Sequence, residues 1–591
     1  MDKNNKKAYF FRLFALFMSD TKRCLIMLLL LIISGLLTGI APRVLGFCTD
    51  VLAKGLTELT INWGDFFKWA AVATLVYIMQ FLTRWYAGRL SASLAANVAK
   101  NLRTRVEEKL WKMPLNYYDI NSNGDIMSRT TNDIDNIVDT LNKTGGDLIY
   151  YVLQLVCMIV MMLTLSWELA IATMLIIPLS FFVVKLITKK SRPQFKKQWE
   201  YMGELNGNVE ESFKGHDIIK SYGLEEEFFD HFEEQNDGLY RSSYKATAYS
   251  NTVQPFSRFF TNLNFVIVAI FGAYRIIQGT MTIGEAQAFI QYSRQFQTPF
   301  TGIANMYSIL QSGLASFERV CSLLDEDEEK EFSTDVKQEY NMKGEIEFRN
   351  VSFRYLPDKP LIENLNLKVK PGQMVAIVGG TGAGKTTLVN LLERFYDIQG
   401  GSIIFDGDTD IRDISRAALR HNIAMVLQDT WLYNGSIEDN LRYGLRKGRK
   451  ITREEFLQAC RDTFVDSFVR ALPNGYKTIV NNEMSGISAG EKQLLTICRA
   501  FVSKPDILIL DEATSSVDTR TEAKIQTALD RLREGRTSFV IAHRLSTIRN
   551  ADIILVMDKG NIVEQGNHDE LLKQNGQYAS LYKAQFAGMQ I

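Results

Sequence analysis

Met374-Val-Ala-Ile-Val-Gly-Gly-Thr-Gly-Ala-Gly-Lys-Thr-Thr-Leu-Val-Asn-Leu-Leu392 is the stretch on which the reading of this 591-residue chain turns. Met374 to Val378 is an unbroken apolar run, as expected of a strand buried on both faces. Thr387 to Leu392 reads as the start of a helix. Between them, Gly379-Gly-Thr-Gly-Ala-Gly-Lys-Thr386 fits G-x-x-x-x-G-K-[ST], in the strand–loop–helix setting that a phosphate loop requires. Its glycines let main-chain N–H groups converge on phosphate oxygens, and the helix N-terminus adds partial positive charge. Lys385 is placed to reach the β- and γ-phosphates, and the Thr386 hydroxyl to ligate magnesium.

Downstream segments supply complementary groups. The apolar strand Ile507 to Leu510 ends in Asp511-Glu512, where one carboxylate can hold the magnesium sphere and the next can polarise a water. His543 follows another apolar strand, Ser538 to Ala542; a lone histidine is more often structural, but at the end of a strand of the same sheet it could reach the γ-phosphate. Gln428 follows Met425-Val-Leu and could sense the metal or the water. Upstream, GEIEFRNVSFRY and LNLKVK read as strands opening an α/β domain.

The first half is of another kind. Six stretches are long and apolar enough to cross a bilayer: about 24–48, 66–90, 145–166, 168–188, 256–278 and 284–312. The third and fourth, joined by Ser166-Trp167-Glu168, are together twice a crossing and predict a tight hairpin. Residues 8–20 predict an amphipathic helix on the membrane surface. The connection 49–65 holds a single Lys, and 166–168 and 279–283 hold no Lys or Arg, whereas 91–143 and 189–250 are rich in both. That bias places both termini and the two long loops in the cytoplasm, as helices continuing beyond the bilayer. The charged run 324–331 reads as a linker, giving a membrane domain 1–320, a linker 321–343 and a nucleotide domain 344–591. The 67 basic and 67 acidic residues cancel, so no global field favours a nucleic-acid partner. Six scattered cysteines without a C-x-x-C pair argue against a zinc site or a disulfide framework.

The last span carries Gln287, Gln291, Arg294, Gln295 and Thr298 at helical spacing. Such a stripe avoids lipid, so it either bonds to neighbouring helices or faces a substrate cavity.

Together these pieces resemble the ATP-binding cassette family, in the exporter branch that fuses a membrane domain of six helices ahead of an α/β P-loop NTPase domain. The resemblance covers nearly the whole chain. It implies ATP and Mg2+ as ligands, with Tyr355 stacking on adenine and Gly379, Gly380, Thr381, Gly382, Ala383, Gly384, Lys385, Thr386 and Thr387 around the phosphates. By the same resemblance Gln428 is the Q-loop, Thr386, Gln428 and Asp511 hold the metal, Glu512 is the catalytic carboxylate, Asp518 lies in the D-loop and His543 is the switch histidine. Met113 to Asp125 and Glu210 to Gly215 resemble the two cytoplasmic coupling loops.

The signature departs from the family's L-S-G-G-Q. Here it reads Ile487-Ser-Ala-Gly-Glu491: Ser488 and Gly490 remain, Ala489 replaces glycine, and Glu491 replaces glutamine. The methyl group crowds a place where backbone should approach the partner's phosphate, and the carboxylate repels it. The contrast resembles heterodimeric exporters with one active and one sluggish site. The expected function is ATP-driven export of small hydrophobic or amphipathic compounds across the cytoplasmic membrane, with multidrug efflux ahead of lipid or peptide cargo. An ATP-regulated receptor or channel is the alternative of another class.

Overall fold

The computed structural model describes residues 3–329, 331, 336–356, 358–445, 450–481, 486–511, 518–542 and 545–587. The chain divides into two units, Met1–Trp111 with Ser122–Glu326, and Lys112–Asn121 with Asp327–Ile591.

The first unit is helical. It comprises α1 Lys3–Phe17, α2 Thr21–Thr57, α3 Trp63–Leu110, α5 Asn123–Thr130, α6 Asn132–Thr144, α7 Asp147–Leu165, α8 Trp167–Lys214, α9 His216–Tyr222, α10 Glu225–Ile277, α11 Ile283–Gln295 and α12 Gln297–Asp325; α4, Leu115–Ile120, belongs to the other unit. Among the described residues, five helical stretches are long and apolar enough to cross a membrane. The sixth expected span is helical too, but it breaks between α11 and α12 and its polar stripe keeps it below the apolarity of the others. Ser166, in an extended conformation, ends α7, and its hydroxyl accepts from Leu169 N at 3.4 Å to cap α8, which makes the expected break between the third and fourth spans. Four helices run 37 to 53 residues, far past the ~20 that a bilayer needs.

Water cannot satisfy buried polar groups in such a bundle, so small residues and paired side chains bring the helices together. Gly35 and Gly39 of α2 let α7 approach; a methyl on Gly39 would collide with Cys157. Tyr292 of α11 donates to the Gly39 carbonyl at 2.6 Å. Buried Asp133 of α6 accepts from Arg319 Nε of α12 at 2.8 Å. On α1, Leu13 and Phe17 are buried while Phe11 and Phe14 are exposed. Arg12 ties α1 to Asp325 of α12 with two bonds, at 2.9 and 3.1 Å.

The second unit holds twelve described strands. They are β1 Ile346–Phe353, β2 Ile362–Val369, β3 Met374–Gly379, β4 Gly400–Phe405, β5 Thr409–Asp410, β6 Ile423–Val426, β7 Gly435–Ser436, β8 Ile479–Val480, β9 Ile507–Asp511, β10 Thr537–Ile541, β11 Ile553–Asp558 and β12 Asn561–Gly566. The main sheet has the order β12-β11-β3-β10-β9-β6, and all its pairs but β11–β12 are parallel. A four-stranded antiparallel sheet, β2-β1-β4-β5, covers one face. Alternation in the parallel strands assigns the two cores. Val375, Ile377, Ile507, Ile509, Phe539 and Ile541 pack with Phe348 and Phe405 of the antiparallel sheet. Ala376, Val378, Leu508, Leu510 and Val540 face helices, chiefly α18 Ala489–Ser503 and α19 Thr519–Arg533, preceded in the chain by α13 Lys385–Leu392, α14 Arg416–Asn422, α15 Ile437–Arg442, α16 Arg453–Asp462 and α17 Val465–Val469. In that core Cys460 and Cys498, distant in sequence, lie 3.8 Å apart as free thiols.

The acidic run read as a linker does more than connect. Glu331 pairs with Arg394 at 3.2 Å, and Glu329 with Arg416 and Arg420 at 3.4 and 3.0 Å. Arg394 is only 1% exposed and also donates to the carbonyls of Ile411 and Ile414. A buried guanidinium without these partners would carry a heavy desolvation cost.

Glu393, at the C-terminal end of α13, is buried, and its Oε2 has no hydrogen-bond partner among the described residues. Burial pushes its carboxyl from 4.5 up to about 7, with Arg420 pulling the other way. Folding therefore takes up a proton between those values. The contribution to stability is complete below about 4.5 and is lost as pH rises to about 7. Thermal unfolding of Glu393→Gln between pH 4.5 and 8 should show a flatter pH dependence than the natural chain. Identical slopes would mean that Glu393 titrates like a solvated carboxylate.

Candidate functional site

The turn from β3 into α13 is built on conformations that side chains disfavour. Gly382 and Gly384 have φ of 79° and 96°, and Gly384 caps α13 from the left-handed region. A Cβ on Gly379 would strike the carbonyl of Met557 on β11. These constraints leave the backbone of Gly380 to Thr386 wrapped around the N-terminus of α13, where amide donors and the helix dipole favour an anion. Ala383 is buried beneath the loop, and Thr381 follows Gly380 at its tip. Lys385 Nζ donates to the carbonyls of Gly379 and Gly380, both at 2.9 Å, so its ammonium lies over the loop. Partial burial lowers its pKa, while Asp511 opposes that shift. The chemistry of the loop fits a polyphosphate.

The sheet register gathers the other candidates at one edge. Ile377 pairs with Ile541, which pairs with Asp511, and Leu510 pairs with Val426. The carboxyl ends of β3, β10, β9 and β6 are therefore neighbours, the end of an open parallel sheet where ligands bind. Asp511 closes β9, and Gln428, exposed, lies two residues beyond β6. Glu512 and His543 lie outside the described residues; in sequence they directly follow Asp511 and Ala542 at these same strand ends. Thr386 and Asp511 supply the hard oxygen donors that magnesium prefers.

Tyr355 is 43% exposed, and its hydroxyl donates to Thr387 Oγ1 at 3.2 Å. Its ring meets Phe353 and Tyr396 edge to face, with centroids 4.9 and 5.0 Å apart. Tyr396, which sequence reasoning missed, donates to Asp119 of α4. Burial raises its pKa, and the Asp119 bond adds to that. The aromatic cluster thus joins the expected adenine platform to residues 112–121 of the same unit, which fall largely within the expected coupling loop Met113 to Asp125. No sequence motif marks Tyr396, which stands alone between Phe395 and Asp397.

In the signature, Ser488 caps α18 and forms a reciprocal box with Glu491. The Glu491 carboxylate accepts from Ser488 N at 2.8 Å and from Ser488 Oγ at 2.9 Å. It is thus turned back onto its own helix, where it holds the hydroxyl that the signature presents. Ala489 is exposed at the first helical position, Gly490 is buried, and Asp518 caps α19 by accepting from Thr521 N at 3.0 Å.

In the membrane unit, a cavity of about 300 Å³ lies between α8, α10, α11 and α12. Phe181, Phe260, Phe296 and Phe300 line it with Asn264 and Gln297, and no charged side chain does. Asn264 donates to Ser293 at 2.9 Å, while its buried Oδ1 has no partner among the described residues. The four residues expected at a substrate cavity do not line this one. Gln287 accepts from Thr49, the Oε1 of Gln291 is buried, Arg294 sits 4.7 Å over the Phe265 ring, and Gln295 is exposed. Periodicity found the polar helix but not the face that meets α8 and α10.

Replacing Lys385 with Ala should cut ATP hydrolysis by ~10²-fold or more and weaken ATP in equilibrium binding. Unchanged affinity and turnover would remove the loop from the site.

Two family models match the chain: the ABC transporter transmembrane region over residues 24–300 and the ABC transporter family over 362–515. A fatty acid ABC transporter ATP-binding/permease protein of Mycobacterium bovis is 44% identical over 96% of this chain and 95% of its own. An ATP-dependent lipid A-core flippase of Syntrophus aciditrophicus is 33% identical over 99% and 95%. An uncharacterized ABC transporter ATP-binding protein of Bacillus subtilis is 38% identical over 96% and 93%. With its membrane helices fused ahead of a nucleotide-binding α/β domain, this chain belongs to the ABC transporter family as an exporter-type half-transporter that couples ATP hydrolysis to transport.

Proposed function

We propose that this chain is one half of an exporter of lipid-like amphiphiles in the cytoplasmic membrane, with its nucleotide domain in the cytoplasm, and that its other half is a different chain. The observation that carries the cargo reading is the aromatic cavity with neutral polar groups and no charge on its lining. Such a wall accepts acyl chains and orients them weakly through Asn264 and Gln297. The names of the fatty acid transporter and the lipid A-core flippase point the same way.

Exporters of this family work as dimers, so each ATP would lie between the phosphate loop of one half and the signature of the other. On this chain's side, Tyr355 would stack the base, the amides of Gly380 to Thr387 and the Lys385 ammonium would hold the phosphates, and Thr386, Gln428 and Asp511 would hold Mg2+. When bound, that ion would supply positive charge to offset the charge of the phosphates. Glu512 orients and polarises the attacking water, His543 contacts the γ-phosphate, and Asp518 faces the partner domain. ATP favours the closed pair of domains, and closure shifts the membrane unit towards its outward-open form.

The offered signature supports the heterodimer reading. To serve the partner's γ-phosphate, Ser488 must give up its bond to Glu491, and Ala489 adds a methyl group at the approach. The chain purified alone should therefore hydrolyse ATP slowly, and the double variant Ala489→Gly with Glu491→Gln should raise that rate severalfold. Full, cargo-stimulated turnover by the unaltered chain alone would establish a homodimer. Separately, Glu512→Gln should retain ATP and lose turnover; normal turnover would remove Glu512 from its role. In vesicles, transport restricted to acyl amphiphiles supports the cargo reading, and an equal response to unrelated drugs favours multidrug efflux.

A further inference from the structure

The cavity in the membrane unit does not end at its aromatic wall. Phe181 and Val184 of α8 also line a second groove of about 830 Å³, whose remaining lining includes Lys185, Lys189, Arg192 and Lys196. One helix thus leads from the wall of an apolar cavity to an exposed basic face. The spacing explains how. Thr173, Ile176, Ser180 and Val184 recur every three or four residues on the cavity side. Lys185, Lys189, Arg192 and Lys196, at steps of four, three and four, share a neighbouring face that continues from Phe181, four residues before Lys185.

Like charges so placed repel one another. Among the described residues, Lys196 is relieved by Glu200 at 3.4 Å, while Lys185, Lys189 and Arg192 have no ion pair. Lys185 lies ~27 Å along α8 from Trp167 at 1.5 Å per residue, close to the ~30 Å depth of the hydrocarbon. The basic groove therefore begins at headgroup level, where the cavity's apolar lining gives way. A general preference for cationic residues at a cytoplasmic helix end accounts for Lys190 and Lys197, which are off this face. It does not account for a basic face that shares Phe181 and Val184 with a cavity.

We propose that Lys185 and Lys189, with Arg192 behind them, bind the carboxylate of a long-chain fatty acid whose single acyl chain lies in the Phe181–Phe300 cavity. The cavity is at the lower end of the volumes that hold small molecules, which suits one acyl chain better than two. The inference rests on the amphiphile reading above and adds the headgroup's charge and place. Attraction to the carboxylate weakens with ionic strength, because the groove is open to water.

The test uses the full chain, with whatever second half accompanies it, in vesicles of zwitterionic lipid, with palmitate and hexadecanol as probes. Palmitate should bind and hexadecanol bind much more weakly, with palmitate weakening as salt rises. Lys185→Gln with Lys189→Gln should weaken palmitate ~10-fold or more. The corresponding double Arg variant should retain it, and Lys190→Gln with Lys197→Gln should leave it unchanged. Equal affinity for acid and alcohol, or equal losses in both Gln pairs, overturns the assignment. So does a response to phosphatidylglycerol alone, which would make the groove a contact for bilayer lipid. If palmitate fails while ATP-driven movement of another amphiphile persists, this inference falls and the exporter reading stands. Loss of all ATP-driven movement strikes the exporter reading itself.

Discussion

Main-chain amides at the start of α13 can turn inward only because Gly382 and Gly384 take up positive φ and Gly379 has no side chain to strike β11. Much of the nucleotide domain serves that turn. The parallel sheet, filled on both faces, fixes where β3 ends. The neighbouring ends of β9 and β6 then bring Asp511 and the Gln428 segment to the same edge. A bulkier residue at the loop would cost the amide cradle, and a different strand order would scatter the groups that act on the phosphates.

The membrane unit obeys another constraint. Its backbone is satisfied within long helices, and its cohesion comes from glycines that admit a neighbour and from a few buried polar pairs such as Tyr292 with Gly39 and Asn264 with Ser293. Helices that run well beyond a bilayer depth can carry motion out of the membrane as levers. The contact of Tyr396 with Asp119 brings the expected coupling segment to the aromatic cluster that holds Tyr355. Nucleotide at Tyr355 and movement of the 112–121 segment would then share a side chain.

Much of this was legible in the sequence because it is local. A phosphate loop needs its glycines and lysine in consecutive positions, and the apolar runs declare buried strands and spans. What escaped depends on distant partners. The acidic run at 324–331 reads as a linker until Arg394, Arg416 and Arg420 meet its Glu329 and Glu331. Glu491 reads as a bare charge near phosphate, yet its carboxylate is folded onto the N-terminus of α18. Gln287, Gln291, Arg294 and Gln295 mark a polar helix, but the choice of Ser293 and Gln297 for the cavity was made by how α8 and α10 pack. Glu512 and His543 rest on sequence and strand order alone.

The most direct measurement follows a labelled long-chain amphiphile in sealed vesicles that hold the exporter with its nucleotide domains facing the medium. ATP with magnesium should drive the amphiphile into the lumen, and a non-hydrolysable analogue should not. Hydrolysis without movement, or the same movement without hydrolysis, would contradict the account.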